Sequence, residues 1–365
     1  MHTKNLLFIN MSPIWGGGEQ WTYQCAVEFK NRGYAIEVIA AGGSKLIQKC
    51  RQNGLITHPL SSGRIMSAAH KDILHSIIFA NHSVAIITNS SRDLAVANYI
   101  KKNKNQTTLI FRRGLDRPLS NNIINRIKYK QVDRIIVNSS ATRRTIHRSF
   151  PWFPRENIHL VYNSIDSTAF RIFHPKNVRQ LLHIPAGAKV LGMIGRLTTQ
   201  KGHRYGLDIL QQLLKINPDT YLLIVGSGEN EPLIKARISK LNLSNHCRLV
   251  GHVDEIQPYY QACDVILIPS LFEGFCFTAI EAQLLERVVV AFNTSSLPEV
   301  VQHNYTGYLT PLHDCQSMTR KVRFLLDNSD LRMQMGRQGR IFVENRFSPK
   351  VIYDQLDSIF NLPDN

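Results

Sequence analysis

Short Val- and Ile-rich runs alternate with helix-length amphipathic stretches along nearly the whole chain, and this rhythm constrains the fold more than any other feature. The runs are Asn5–Asn10, Ile36–Ala41, Val84–Asn89, Thr108–Arg112, Arg134–Asn138 and Ile158–Tyr162, then Val190–Ile194, Thr220–Val225, Cys247–Val250, Val265–Pro269 and Val288–Phe292. They lack the strict apolar–polar alternation of half-exposed strands and suit strands buried on both faces, as in parallel sheets. Stretches such as Gln20–Arg32 and Tyr205–Lys215 carry the helical pattern between them, so the class is α/β. The rhythm breaks over Asp166–Lys189, where His174-Pro175, Pro185 and Gly187 fall, and a domain boundary is expected there. A chain of 365 residues also favours two domains over one core.

Other classes are disfavoured. No run of 18 apolar residues occurs; the nearest candidate, Ile77–Thr88, is interrupted by Asn81, His82 and Ser83. The apolar stretch Leu6–Ile9 is too short for a signal peptide and reads as a first buried strand. Six cysteines form no CxxC pair, which argues against a zinc or disulfide framework and for a reducing compartment. A cytoplasmic protein is therefore expected.

Charge is uneven. The net charge is +17, and residues 1–170 hold 23 basic and 9 acidic side chains, against 21 and 18 in the remainder. Lys101–Arg155 alone has 14 bases with only Asp116 and Asp133. Such a patch concentrates anionic partners, whether nucleic acid, acidic lipid or a phosphorylated substrate, although a solvated surface also tolerates it. A nucleic-acid platform wants aromatic rings interleaved with the bases. Phe111, Tyr129, Phe150, Trp152 and Phe153 lie mostly apart from the densest charge, so no nucleic-acid partner is expected.

Five loops carry candidate chemistry. Gly16, Gly17 and Gly18 follow the first strand and precede a helix opening near Glu19; bare backbone there admits a phosphate or sugar, though a tight turn explains the glycines equally well. Their spacing is not GxGxxG, and a nicotinamide oxidoreductase is disfavoured. After Val190–Ile194 come Gly195, Arg196 and Leu197, then Gln200, Lys201 and Gly202; a guanidinium and an ammonium five residues apart can converge on a diphosphate. Val225-Gly226-Ser227-Gly228 and Gly251-His252-Val253 end the next two strands and leave room for a flat ligand at the sheet's carboxyl edge. Finally, Pro269–Ala282 places Glu273 and Glu281 eight positions apart in an apolar setting. A helix starting near Gly274 would aim the N–H groups of Gly274–Phe277 at one anion and set Glu281 two turns in, buried and in want of a polar ligand.

Taken in order, these motifs resemble those of retaining glycosyltransferases of family four, as do Val161-Tyr162-Asn163-Ser164-Ile165-Asp166 and Leu297-Pro298-Glu299-Val300-Val301 with Gly307-Tyr308-Leu309. The resemblance spans roughly the whole chain and is strongest over Val190–Leu309. It implies the GT-B fold: two Rossmann-like domains facing across a cleft, an acceptor-binding one over residues 1–170 and a nucleotide-sugar-binding one over 171–345. The last helix, in residues 346–365, would cross back to the first domain. By position Arg196 and Lys201 would hold the donor diphosphate and Glu273 the donor sugar. Glu281 would accept from the ribose hydroxyls, and the backbone of Gly274, Phe275, Cys276 and Phe277 would cap sugar and phosphate. Gly226, Gly228 and Val253 would lie against the base, and Gly17 and Gly18 would close over the diphosphate. The resemblance implies no metal and no cofactor beyond the donor, for which a UDP-sugar is expected.

Departures from the family pattern mark the rest. Arg113 occupies the place of a common His and still suits an anion. Cys276 and Ser164 stand where glycine is common, Glu286-Arg287 replaces a Gly-x-Pro turn, and Ser295-Ser296 replaces a glycine pair, so loop geometry is expected to differ there. In Asn121–Gln131, Ile123, Ile124 and Ile127 share one helical face and Arg126, Lys128 and Lys130 lie elsewhere, which suits either an anionic membrane surface or ordinary packing on a core. The expected function is transfer of a sugar to a glycan or lipid-linked acceptor in bacterial surface polysaccharide or lipopolysaccharide core synthesis, on the inner face of the cytoplasmic membrane. A soluble transferase making a small glycoside and a basic nucleic-acid-binding protein are the alternatives.

Overall fold

The computed structural model describes residues 5–61, 68–80, 83–103, 107–170 and 176–361. The chain divides into two compact units, Met1–Asn163 with Lys350–Asn365, and Ser164–Pro349.

In the first unit seven strands form one sheet: β1 (Asn5–Asn10), β2 (Ala35–Ala41), β3 (Ile56–Leu60), β4 (Ser83–Thr88), β5 (Thr108–Arg113), β6 (Arg134–Val137) and β7 (Ile158–Leu160). Their order is β3-β2-β1-β4-β5-β6-β7, with every pairing parallel. Successive residues of β1 serve opposite layers: Leu6 and Phe8 pack with Trp21, Phe29 and Val38, while Leu7 and Ile9 pack with Ile86, Leu109 and Phe111. Burial on both faces explains the unalternating apolar runs. Helix Pro349–Phe360 joins the first layer through Ile352, Tyr353, Leu356 and Phe360; the Phe360 ring lies 4.9 Å from that of Phe29.

The second unit repeats the plan with β8 (Lys189–Ile194), β9 (Thr220–Val225), β10 (Cys247–Gly251), β11 (Val265–Ile268), β12 (Val288–Phe292) and β13 (Gly307–Thr310), in the order β10-β9-β8-β11-β12-β13, all parallel. In both sheets the strand order reverses beside the first strand, between β1 and β4 and between β8 and β11. Doubly wound sheets bind ligands beyond the carboxyl ends of strands at that reversal.

Two strands were not expected from the sequence, β3 and β13, and both are sheet edges. β3 reads Ile-Thr-His-Pro-Leu; only an edge strand tolerates Pro59, and Ile56 is exposed. Residues 166–189 hold a 3-10 turn at Thr168–Phe170 and the short helix Val178–Leu181, while His174 and Pro175 lie outside the described residues. So do Asn81 and His82. Among the described residues no helix is long and apolar enough to cross a membrane.

Helix Ile123–Tyr129 speaks against core packing of its isoleucines. Tyr129 is fully buried, but Ile123, Ile124 and Ile127 are 74%, 70% and 67% exposed. They do not pack on a core.

Candidate functional site

The carboxyl ends of β8 to β11 are stitched together by backbone. Gly195 N–H donates to Val225 O (2.9 Å), Gly226 N–H to Gly251 O (2.8 Å), Leu197 N–H to Ser227 O (2.9 Å) and Leu271 N–H to Gln200 O (2.8 Å). These approaches require glycine at two corners. At Gly226 (φ +131°) a Cβ would fall 2.0 Å from Gly195 O, and at Gly202 (φ +67°) 2.0 Å from Pro269 O. Val253 is half-buried in the loop after β10, and His252 is exposed, 3.9 Å from Asp254.

Within this frame Lys201 and Glu273 meet. Lys201 ends the 3-10 turn Thr199–Lys201 after β8, Glu273 follows β11, and Nζ to Oε1 measures 2.8 Å. Their side chains are 17% and 6% exposed. Gln200 Nε2 donates to the other carboxylate oxygen at 3.3 Å and to Phe272 O at 2.8 Å. Burial pulls the Lys201 pKa down, but Glu273 and Cys276 more than offset it and the net shift is upward, so the ammonium stays charged. Behind it His203 is buried, and desolvation with the Lys201 charge drops its pKa to about 4; it is neutral near pH 7. Arg196 is exposed, its side chain has no hydrogen-bond or ion-pair partner among the described residues, and its charge is felt at Lys201.

The helix after Glu273 starts later than the sequence suggested. It runs Phe277–Leu284, so Glu281 sits about one turn in rather than two. The cause is Cys276, whose φ of +65° is left-handed and stops backward extension of the helix. The N–H groups of Gly274, Cys276 and Phe277 consequently make no hydrogen bond among the described residues, and lie beside an ammonium. Such a cluster is complementary to an anion. Phe275 is buried edge-on against Phe277 and Phe347, at 5.3 and 5.2 Å between ring centroids.

Glu281 is not the unpartnered buried carboxylate the sequence suggested. It is half-buried, and the hydroxyl of fully buried Tyr260 donates to its Oε2 at 2.7 Å. Desolvation raises its pKa while the Tyr260 bond and Lys201 oppose the rise. Tyr260 was missed because nothing local marks a Tyr 21 positions away as a partner. The bond leaves Oε1 open, among the described residues, to accept from a ligand hydroxyl.

Cys276, Glu286 and Ser295, three of the positions where glycine was expected from the family pattern, keep positive φ at 65°, 56° and 48°. The loops hold the left-handed conformation despite the side chains, and no altered geometry is needed. A β-branched residue resists this conformation most. Cys276→Val should therefore lower unfolding free energy by more than about 2 kcal/mol, while Cys276→Gly should stay within about 1 kcal/mol, measured by urea unfolding.

In the first unit, Gly17 begins helix Gly17–Asn31 and Gly16 caps it in extended conformation without a side-chain bond. A Cβ on Gly17 or Gly18 would meet nothing within 4 Å, and neither has positive φ. The turn itself does not require these glycines. Arg113, ending β5, donates from Nη2 to Arg117 O at 3.0 Å, and its buried Nε has no partner. Arg112, passed over in the sequence, is more deeply placed: it is 5% exposed, with Cζ 4.7 Å from the Trp21 ring centroid. Adjacent strand residues face opposite layers, and Arg112 takes the side of helix Gly17–Asn31.

Two Rossmann-like units with these sheet orders define a GT-B protein, and solved structures agree. Anabaena Alr3699/HepE in complex with UDP superposes with a TM-score of 0.83 at 20% identity, over 97% of this chain and 98% of that one. Residues 15–169 match the model of Glycosyltransferase Family 4 and residues 176–342 that of Glycosyl transferases group 1. The chain belongs to the group 1 glycosyltransferases. The capsular polysaccharide biosynthesis glycosyltransferase CapM of Staphylococcus aureus is 30% identical over 173 residues, 47% of this chain and 46% of CapM. The N-acetyl-alpha-D-glucosaminyl L-malate synthase of Bacillus anthracis is 27% identical over 248 residues, 67% of this chain and 63% of that enzyme. The chain thus spans about half the length of CapM and under two thirds of the synthase.

Proposed function

We propose that the protein is a retaining glycosyltransferase that moves a sugar from a nucleotide-sugar, a UDP-sugar by preference, to a glycan or glycolipid acceptor of the bacterial surface. The observation that carries the reading is the Lys201–Glu273 pair at 2.8 Å beside the N–H groups of Gly274, Cys276 and Phe277, which make no hydrogen bond among the described residues. Lys201, with exposed Arg196 near it, supplies positive charge for a departing diphosphate, and preorganised charge of this kind dominates such catalysis. Glu273 addresses the donor sugar once the diphosphate takes over Lys201. Glu281, oriented by Tyr260, accepts from the ribose through Oε1. Gly226, Gly228 and Val253 border the base, and the open Gly17 and Gly18 lend backbone N–H groups to the diphosphate. Retention follows from same-face attack, with the leaving phosphate taking the acceptor proton; no metal ion enters the reading.

A thermal-shift panel of UDP, GDP, ADP and CMP tests the donor site. UDP at about 100 times its Kd should stabilise the fold by ~2.7 kcal/mol, and Glu281→Ala should remove the shift. If no nucleotide moves the melt, the reading fails.

The acceptor reading includes a cytoplasmic protein docked on an anionic leaflet. Ile123, Ile124 and Ile127 project outward on a helix that also bears Arg126 and Lys128, within a segment of 14 bases and 2 acids. CapM, named for capsular polysaccharide synthesis, points to the same class of acceptor. Vesicles containing phosphatidylglycerol should carry the protein upward in flotation, and Ile123→Asp/Ile127→Asp should leave it at the bottom of the gradient. Equal flotation with neutral vesicles would sink the membrane assignment.

A further inference from the structure

Arg112 is a buried cation without a buried anion. Its guanidinium lies against the Trp21 ring on one side, at 4.7 Å, and Nη2 donates to Asn163 Oδ1 at 2.8 Å. That amide is its one hydrogen-bond acceptor among the described residues. The backbone of Gly114 also makes room for it: a Cβ there would lie 2.7 Å from Nη1 and 2.9 Å from Cζ. Glu19, an acid whose field reaches it, makes no ion pair with it among the described residues. Desolvation drops its pKa to about 10, with the Cys25 thiol and Glu19 only partly opposing the shift.

A guanidinium so far out of water is costly unless a counter-charge arrives. Location says where one would come from. Arg112 is the next-to-last residue of β5, at the carboxyl edge of the first sheet, and Trp21 is on the helix that opens at Gly17. An arginine fork is suited to a planar or tetrahedral oxyanion. Its Nε and Nη1 donors make no hydrogen bond among the described residues.

We propose that Arg112, stacked on Trp21, forms an anion subsite in the first unit that recognises a carboxylate or phosphate group on the acceptor. The acceptor half of this statement rests on the transferase reading; the anion half stands on the geometry alone. Arg112 is a specificity residue here, not a participant in sugar transfer. An acceptor lacking the anion leaves the guanidinium uncompensated and should be used poorly.

Trp21 is a built-in reporter. In a Trp15→Phe/Trp152→Phe protein, the sole indole lies under the Arg112 guanidinium, so anion binding should change its emission. Titration with inorganic phosphate and, separately, with acetate at constant ionic strength should give a saturable change for one or both and so name the oxyanion. Chloride should give none. Arg112→Met should weaken the binding at least 10-fold, and Arg112→Lys should fall between. UDP affinity should be unchanged in both variants. If Arg112→Met does not fold, the titration of the Arg112 protein and of Arg112→Lys decides. No saturable change, an equal response to chloride, or an undiminished response in the variants overturns the proposal. Loss of the UDP shift in the parent would sink the donor reading while leaving the phosphate titration to stand or fall by itself.

Discussion

Lys201→Ala should lower unfolding free energy by about 3–5 kcal/mol and the transfer rate by about 10²–10³-fold, and a second substitution should separate the two losses. Removing the ammonium leaves Glu273, 5% exposed, charged and without its cation; Gln200 gives it one neutral donor at 3.3 Å. Breaking a buried pair from one side is costly for this reason. Adding Glu273→Gln removes the stranded charge, so Lys201→Ala/Glu273→Gln should regain most of the stability. On the donor reading it should regain none of the rate, because charge for a leaving diphosphate is still missing. Urea unfolding and turnover with the nucleotide-sugar selected by thermal shift provide both readouts. If the double variant recovers activity with its stability, Lys201 only ties the loop after β8 to the loop after β11. If Lys201→Ala unfolds like the parent, the pair does not hold the loops.

How far the sequence reached depends on where the information resides. Eleven of the apolar runs became strands within a residue or two because burial on both faces leaves a local composition signal that needs no partner to be read. β3 and β13 escaped because edge strands carry less of it; Pro59 in β3 reads as a break until its missing N–H is seen to face no neighbour. The loops that build the site were legible as glycine punctuation. What joins them was not. The 2.8 Å contact of Lys201 with Glu273 spans 72 positions, and Tyr260 reaches Glu281 across 21. Arg112 and Arg113 are indistinguishable in sequence, and only the pleat sends one to Trp21 and the other to the opposite layer. The left-handed φ of Cys276, which shifts the helix start by three residues from Gly274, is likewise a backbone fact that its side chain argues against.

Gly226→Ala and Gly17→Ala are the same chemical change and should have opposite consequences. At Gly226 the new methyl would stand 2.0 Å from Gly195 O and 2.8 Å from Gly195 C, both backbone atoms, and φ is +131°. No side chain can yield there. Relief would require β8 and β9 to part at their carboxyl ends, breaking the Gly195–Val225 bond. Left-handed strain of about 1–3 kcal/mol and overpacking of similar size give an expected loss of about 3–5 kcal/mol, enough to leave much of the protein unfolded. At Gly17 a methyl meets nothing within 4 Å, and alanine at a helix start is if anything favourable, so stability should hold or rise by up to about 1 kcal/mol. The donor reading nevertheless places the diphosphate against this backbone, and a methyl in that approach should cut the transfer rate at least 10-fold. Thermal melts and initial rates for the two variants distinguish the cases. A Gly17→Ala protein with full activity would remove the first unit's glycine loop from the donor site, whereas a Gly226→Ala protein that melts with the parent would contradict the backbone stitching on which the whole site rests.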